Sequence, residues 1–270
     1  MSWLEAVVLG LVQGLTEFLP VSSTGHVRLV PLIFGWDDPG ASFTAVTQLG
    51  TMAAVLAFFW RDLVRIGVAW FSSLARRDKR NDPNAVMGWY MIAGTLPIGV
   101  LGFVFSESIR TVVRDLRIIG AALIVLGLLL WVVDKYAPQK RTQDSIGLKD
   151  AALVGLAQAA ALIPGVSRSG ATITMGRFLG LERAAAARFS FLLSVPAVVA
   201  SGLFEAGAIN GTDWAPTLLA TFVAFVVGWA SIAWLLRWLG SHSMALFGAY
   251  RLAVGAAIFI ALSVGSVTPL

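Results

Sequence analysis

Six stretches of this 270-residue chain run apolar for about 20 residues each, near 41–60, 85–105, 118–134, 189–208, 216–236 and 247–267. A helix needs about 20 residues to cross the ~30 Å hydrocarbon layer of a bilayer, and no lipid-exposed backbone there can leave its amides unpaired. A transmembrane β-barrel would show short alternating segments instead of continuous runs. The sequence therefore predicts an all-α integral membrane protein with six transmembrane helices, forming a single membrane domain over 1–270. Composition agrees. The chain is 57% hydrophobic and 13% charged, with a mean hydropathy of +0.80, against roughly 25% charged residues in a soluble domain.

The N-terminus carries Glu5 and has neither a basic n-region nor a small-residue cleavage site, so a removable signal peptide is not expected. The chain has no cysteine, which excludes disulfides and thiolate metal sites. A net charge of +5 would suit nucleic acid, but the basic residues cluster between the apolar runs, where anionic lipid is the simpler partner. Nucleic acid is thereby set aside. The connection 61–80 holds Arg61, Arg65, Arg76, Arg77, Lys79 and Arg80, and the one near 135–149 holds Lys135, Lys140, Arg141 and Lys149. Both are expected on the cytoplasmic side. Between them, Glu107 and Asp115 partly balance Arg110, Arg114 and Arg117, and the loop from Ile209 to Trp214 has no basic residue. Both termini then lie outside.

Two polar stretches interrupt the apolar pattern. Residues 10–13, "GLVQ", recur as "GLAQ" at 155–158, and the same offset of 145 superposes Val21 on Val166, Ser22 on Ser167 and Gly25 on Gly170. After a one-residue slip, Phe43 pairs with Phe189. In each copy a half-length apolar run meets a proline, Pro20 or Pro164, and then a Ser/Gly turn. Three spans separate the copies, so they enter the membrane from opposite faces, as an inverted-topology repeat. Repeat 1 is read over about 3–134, with a re-entrant hairpin at 3–35. Repeat 2 is read over about 151–267, with a hairpin at 151–182. Such repeats place a site near the bilayer midplane and aim half-helix N-termini at an anionic group. A proline-kinked helix, its hydroxyls bonded to the preceding turn, is the plainer alternative. Glu17 weighs against it, because an isolated carboxylate at depth costs at least ~2.5 kcal/mol.

If each turn opens a new half-helix, Ser22, Ser23 and Thr24 offer free amides and hydroxyls to a phosphate. Arg168, between Ser167 and Ser169, offers a guanidinium fork that matches phosphate oxygens. His26 lies on the turn facing Ser23 and is expected to take a hydroxyl proton near neutral pH. Gln13 and Glu17 share a helix face that also reaches Thr16. A carboxylate beside a phosphate site is either a general base or an oxygen ligand for a hard cation, Mg²⁺ or Ca²⁺.

These residues resemble those of the integral-membrane undecaprenyl-pyrophosphate phosphatases, also called bacitracin-resistance proteins. The resemblance runs along essentially the whole chain and is anchored by "QGLTEFLPVSSTGH" (13–26) and "PGVSRSGATI" (164–173), with "TQLGT", "FSFLLSVPA" and "AYR" in support. It implies six spans plus two re-entrant hairpins, and hydrolysis of undecaprenyl pyrophosphate to undecaprenyl phosphate and inorganic phosphate. That reaction recycles the lipid carrier of peptidoglycan synthesis and confers bacitracin resistance. It is expected at the outer face of a bacterial cytoplasmic (inner) membrane.

Carried over by position, Glu17 matches the family's catalytic acid, Ser23 its proposed nucleophile, His26 the motif histidine and Arg168 the phosphate clamp. Ser22, Thr24, Gly25, Ser167, Ser169 and Gly170 match its substrate-binding lining. Many members carry a second glutamate where this chain has Gln13, a pair held to support metal binding. The resemblance thus implies a divalent cation, Mg²⁺ or Ca²⁺, on Glu17 with Gln13 as a weaker ligand. The expected partners are a polyprenyl pyrophosphate lipid and the membrane, with a homodimer left open. The rival reading is a transporter or flippase of anionic polyprenyl lipids, which needs the clamp but not a nucleophile with a base.

Because the chain has no native cysteine, its orientation can be read by labelling. Asp213→Cys should react with an impermeant thiol reagent from outside the cell and Lys79→Cys should not; the reverse pattern would invert the topology.

Overall fold

The structure is a computed structural model that describes residues 1–105, 115–206 and 213–268. Glu107, Arg110 and Arg114, the loop from Ile209 to residue 212 and the end of the run at 189–208 lie outside the described residues. Among the described residues there are eleven α-helices: α1 (Trp3–Phe18), α2 (Ser23–Phe34), α3 (Gly40–Phe58), α4 (Trp60–Ala75), α5 (Pro83–Val104), α6 (Leu116–Tyr136), α7 (Leu148–Ala159), α8 (Arg168–Phe178), α9 (Arg183–Ala206), α10 (Trp214–Trp238) and α11 (Ala245–Ser263). Six are long and apolar enough to cross a membrane: α3, α5, α6, α9, α10 and α11. They coincide with the six apolar runs of the sequence.

One connection has more structure than its charge pattern announced. Residues 60–75, within the basic stretch after the first span, form α4. Val64, Val68 and Phe71 recur at helical spacing and are exposed, while Arg61, Asp62 and Arg65 interrupt the apolar character. Asp62 also accepts from Arg188 of α9 at 2.6 Å.

The helix starts follow from local chemistry. Ser2 and Glu5 cap α1 reciprocally: the Glu5 amide donates to Ser2 Oγ at 3.2 Å, and the Ser2 amide donates to Glu5 Oε2 at 3.1 Å. Asp150, at an offset of 145 from Glu5, accepts from the Gly147 amide at 2.8 Å at the start of α7. Arg141 chelates the same carboxylate at 2.9 and 2.7 Å, and this guanidinium holds the Asp150 carboxyl below the usual carboxylate range.

Short α1 lies along α10, short α7 lies along α5, and α6 packs along α11. The repeated glycines make the first two contacts close. A Cβ on Gly10 would sit 2.5 Å from the Ala220 carbonyl oxygen, and one on Gly155 would sit 2.6 Å from Gly94 Cα. Small residues let membrane helices approach backbone to backbone, which is where their packing energy lies. Below the turns, buried Asp134 of α6 gathers Arg177 of α8 at 3.2 Å, Arg183 of α9 at 2.7 Å and the Met244 amide before α11 at 2.8 Å.

Over-packing a helix contact typically costs 1–3 kcal/mol. We therefore expect Gly10→Ala and Gly155→Ala each to destabilise the protein by about that much, read as a lower thermal midpoint in detergent, while Gly99→Ala, whose Cβ would meet nothing within 4 Å, should leave the midpoint unchanged. Equal midpoints for all three would dissolve the close-contact account.

Candidate active site at the two turns

Proline sets both turns. The residue before a proline is pushed out of the helical region, and Leu19 (φ −66°, ψ 141°) accordingly ends α1 one residue ahead of Pro20. In the second copy α7 ends at Ala159, a short 3₁₀ turn spans Ala160–Leu162, and Ile163 (φ −81°, ψ 125°) is extended ahead of Pro164. Each turn then passes through a serine at positive φ, Ser22 at 77° and Ser167 at 68°. Apart from glycines, these are the only residues with positive φ among those described. Such a conformation costs a side-chain-bearing residue of order 1–3 kcal/mol and tends to sit where function holds it. The next residue opens the second helix of each pair: Ser23 begins α2 and Arg168 begins α8.

Those two residues meet at one carboxylate. Ser23 Oγ donates to Glu17 Oε2 at 2.8 Å, and Gln13 Nε2 donates to the same oxygen at 3.1 Å. Arg168 Nη2 donates to Glu17 Oε1 in a close ion pair that joins residues 151 positions apart. The pair is sheltered, with 8% of the Glu17 side chain and 18% of the Arg168 side chain exposed. Every charge-assisted bond here gains strength from the low local dielectric.

The remaining expected residues line the same turns. Ser22 Oγ lies 3.1 Å from Thr24 Oγ1, and Ser167 Oγ lies 3.1 Å from Ser169 Oγ. Ser167 Oγ also accepts from the Gly170 amide at 3.1 Å, and Ser169 Oγ donates across to the Leu19 carbonyl at 3.1 Å. Gly25 and Gly170 are buried, and a Cβ on Gly170 would come within 2.8 Å of Arg251 Nη1. Thr16 stays apart, donating back to the Val12 carbonyl.

His26 departs from expectation. Its Nδ1 lies 2.7 Å from the Ser22 carbonyl oxygen and its Nε2 lies 2.6 Å from Tyr250 Oη. A carbonyl only accepts, so Nδ1 carries the hydrogen and Nε2 of the neutral ring accepts from the Tyr250 hydroxyl. The Ser23 hydroxyl bonds to Glu17 and not to His26. The helical register that placed His26 near Ser23 is real, but α11 supplies the imidazole with a different partner.

Sequence reasoning quoted "AYR" only in support of the resemblance and gave Tyr250 and Arg251 of α11 no role. Tyr250 holds His26, and Arg251, fully buried, donates to backbone carbonyls of both turns. An arginine inside an apolar run is itself a signal, since charges in membrane spans face protein and mark function. Arg251 lies within the run read at 247–267.

Among the described residues, no group of three His, Asp or Glu side chains is placed to hold a metal. The donor chemistry nevertheless suits a hard cation: Mg²⁺ is typically held by one or two carboxylates and completed by water and substrate phosphates. Glu17 fits as that single carboxylate. Gln13 turns its amide N–H toward Glu17 and thereby orients the carboxylate.

The family model for bacitracin resistance protein BacA matches residues 6–257. A protein named undecaprenyl-diphosphatase 2 from Frankia casuarinae is 53% identical, covering 100% of this chain and 98% of its own length. An undecaprenyl-diphosphatase from a Nocardioides species is 53% identical over 97% of both chains. Undecaprenyl-diphosphatase 2 from Streptomyces coelicolor is 50% identical over 100% of this chain and 98% of the relative.

Proposed function

Because the chain belongs to the bacitracin resistance protein BacA family, we propose that it hydrolyses undecaprenyl pyrophosphate to undecaprenyl phosphate and inorganic phosphate. The reaction returns the lipid carrier to cell-wall synthesis and confers resistance to bacitracin. The observation that carries this reading from family to chemistry is Glu17, which holds a hydroxyl from one turn and a guanidinium from the other. A carrier of anionic lipids has use for the guanidinium but none for a hydroxyl bonded to a carboxylate.

The terminal phosphoryl group enters between Ser23 and Arg168. Arg168 exchanges its contact with Glu17 for phosphate oxygens, which its planar fork matches bidentately. Ser23 Oγ attacks the terminal phosphorus and passes its proton to Glu17 Oε2, already 2.8 Å away. The bridging P–O bond breaks and undecaprenyl phosphate departs. Once Glu17 has passed the first proton to the departing undecaprenyl phosphate, water attacks the phosphoserine phosphorus and gives a proton to Glu17; the Ser23 Oγ–P bond breaks, that proton returns to Ser23 Oγ, and inorganic phosphate leaves. Direct attack by water activated at Glu17 uses the same groups with one step fewer. Ser22, Thr24, Ser167 and Ser169, with the amides at the starts of α2 and α8, surround the developing charge. Gly25 and Gly170 leave room for the packing of those turns against Ile119 and the Arg251 guanidinium. His26, braced by Tyr250, fixes the first turn of α2.

A divalent cation bound at Glu17 would supply charge neutralisation to the diphosphate. Gln13 serves that site through its bond to the carboxylate.

The two helix-turn-helix pairs, α1–α2 and α7–α8, are re-entrant hairpins of an inverted repeat in this reading, spanning about 3–35 and 151–182. Equivalent landmarks at an offset of 145 support it: the capping acids, the crossing glycines and the positive-φ serines. The site opens to the outer face of the bacterial cytoplasmic membrane, where the pyrophosphate lipid is released. All of the reacting groups come from one chain, so a homodimer would add no catalytic residue.

The test is phosphate release from polyprenyl pyrophosphate by the purified protein, with and without chelator. We expect turnover that Arg168→Lys lowers about a hundredfold although the charge is kept, as for loss of one transition-state donor. Glu17→Gln should lower it by at least as much. No phosphate release by the parent would sink the reading, and near-normal turnover of Glu17→Gln would move the acid role elsewhere.

A further inference from the structure

Among the described residues two arginines are fully buried, and they are partnered differently. Arg177 has Asp134 beside it at 3.2 Å. Arg251 has no carboxylate partner among the described residues. Its guanidinium instead donates to the carbonyls of Pro20 at 3.2 Å, Gly165 at 3.0 Å and Val166 at 3.0 Å, and to that of Ala122 in α6 at 3.3 Å. Carbonyl dipoles satisfy its hydrogen bonds without cancelling its charge. Glu17 and Arg168 cancel one another, so the ground behind the two turns carries an unmatched positive charge.

A buried charge without a counter-charge is costly in a medium of low dielectric. We propose that the counter-charge of Arg251 is the anionic diphosphate itself, so that Arg251 is a positioning residue acting on the substrate from behind both turns. This rests on the diphosphatase reading and adds a residue to its binding machinery. The geometry assigns it two effects. It draws the Pro20 and Val166 carbonyls backward; in a trans peptide the N–H points opposite its carbonyl, so the Ser167 amide is turned toward the front of the turn. Its charge also lies behind the two helix starts, in an interior where charges are screened less than in water. Gly170 admits the guanidinium there, since a Cβ would come within 2.8 Å of Nη1.

Arg251→Lys keeps the charge and part of the hydrogen bonding; Arg251→Gln keeps only hydrogen bonding. Two quantities are read on purified protein in detergent: KM and kcat for polyprenyl pyrophosphate, and the rise in thermal midpoint on adding methylenediphosphonate, a non-hydrolysable diphosphate. We expect the lysine variant to stay within about threefold of the parent KM and to keep the thermal rise, and the glutamine variant to raise KM about tenfold or more, beyond its fall in kcat, and to lose the rise. Equal KM and equal thermal rise in the two variants would make Arg251 a brace only and overturn the proposal. Should Arg251→Gln fail to fold, Arg168→Gln decides: with the front guanidinium gone, the analogue should still raise the midpoint, by less than in the parent, and complete loss of the rise overturns the proposal. A parent without phosphate release contradicts the diphosphatase reading instead, while a parent that turns over and is matched in KM by Arg251→Gln contradicts only the role of Arg251.

Discussion

A single buried carboxylate organises this protein. Glu17 accepts from Ser23 and Gln13 on one oxygen and from Arg168 on the other, and the Arg168 bond forms only where two turns 145 residues apart meet. An ionised carboxylate sheltered from water is tolerated when it is paired and hydrogen-bonded, and here three donors do both. The rest of the structure serves that meeting. Gly10 and Gly155 bring the short helices tight against α10 and α5, the prolines stop those helices at the right depth, and Arg251 ties the two turns together from behind.

The two copies share a frame and differ in chemistry. At matching positions Ser23 faces Arg168, His26 corresponds to Ala171, and Glu17 corresponds to Leu162. The first copy carries the acid, the hydroxyl and the imidazole, and the second carries the guanidinium. Gln13 and Gln158 also correspond. Gln13 bonds Glu17, whereas buried Gln158, with no acid one turn on, has a side-chain amide lacking any protein partner. Transferring a phosphoryl group needs unlike groups on its two sides, which a strict two-fold arrangement could not supply.

Most of the frame was legible because membrane physics leaves few choices. An apolar run of about 20 residues can only be a span, and a half-length run ending in Pro-Val-Ser-Ser or Pro-Gly-Val-Ser marked both turns. Glu17, Ser23 and Arg168 stood out as polar groups with no inexpensive reason to be buried. What the sequence did not convey were partners fixed only by tertiary contact. Helical spacing placed His26 near Ser23, but the ring is claimed by Tyr250 of α11, 224 residues away. Arg251 sat inside a span read for its length, and α4 was read for its charge while its apolar periodicity went unused.

The central claim is that substrate phosphate binds where the two turns converge, displacing Arg168 from Glu17. An experimental structure with methylenediphosphonate bound tests it most directly. The account predicts the analogue between Ser23 Oγ and Arg168, with the guanidinium on phosphonate oxygens and Glu17 free to face Ser23. An analogue bound elsewhere, with the Glu17–Arg168 ion pair intact, would contradict it.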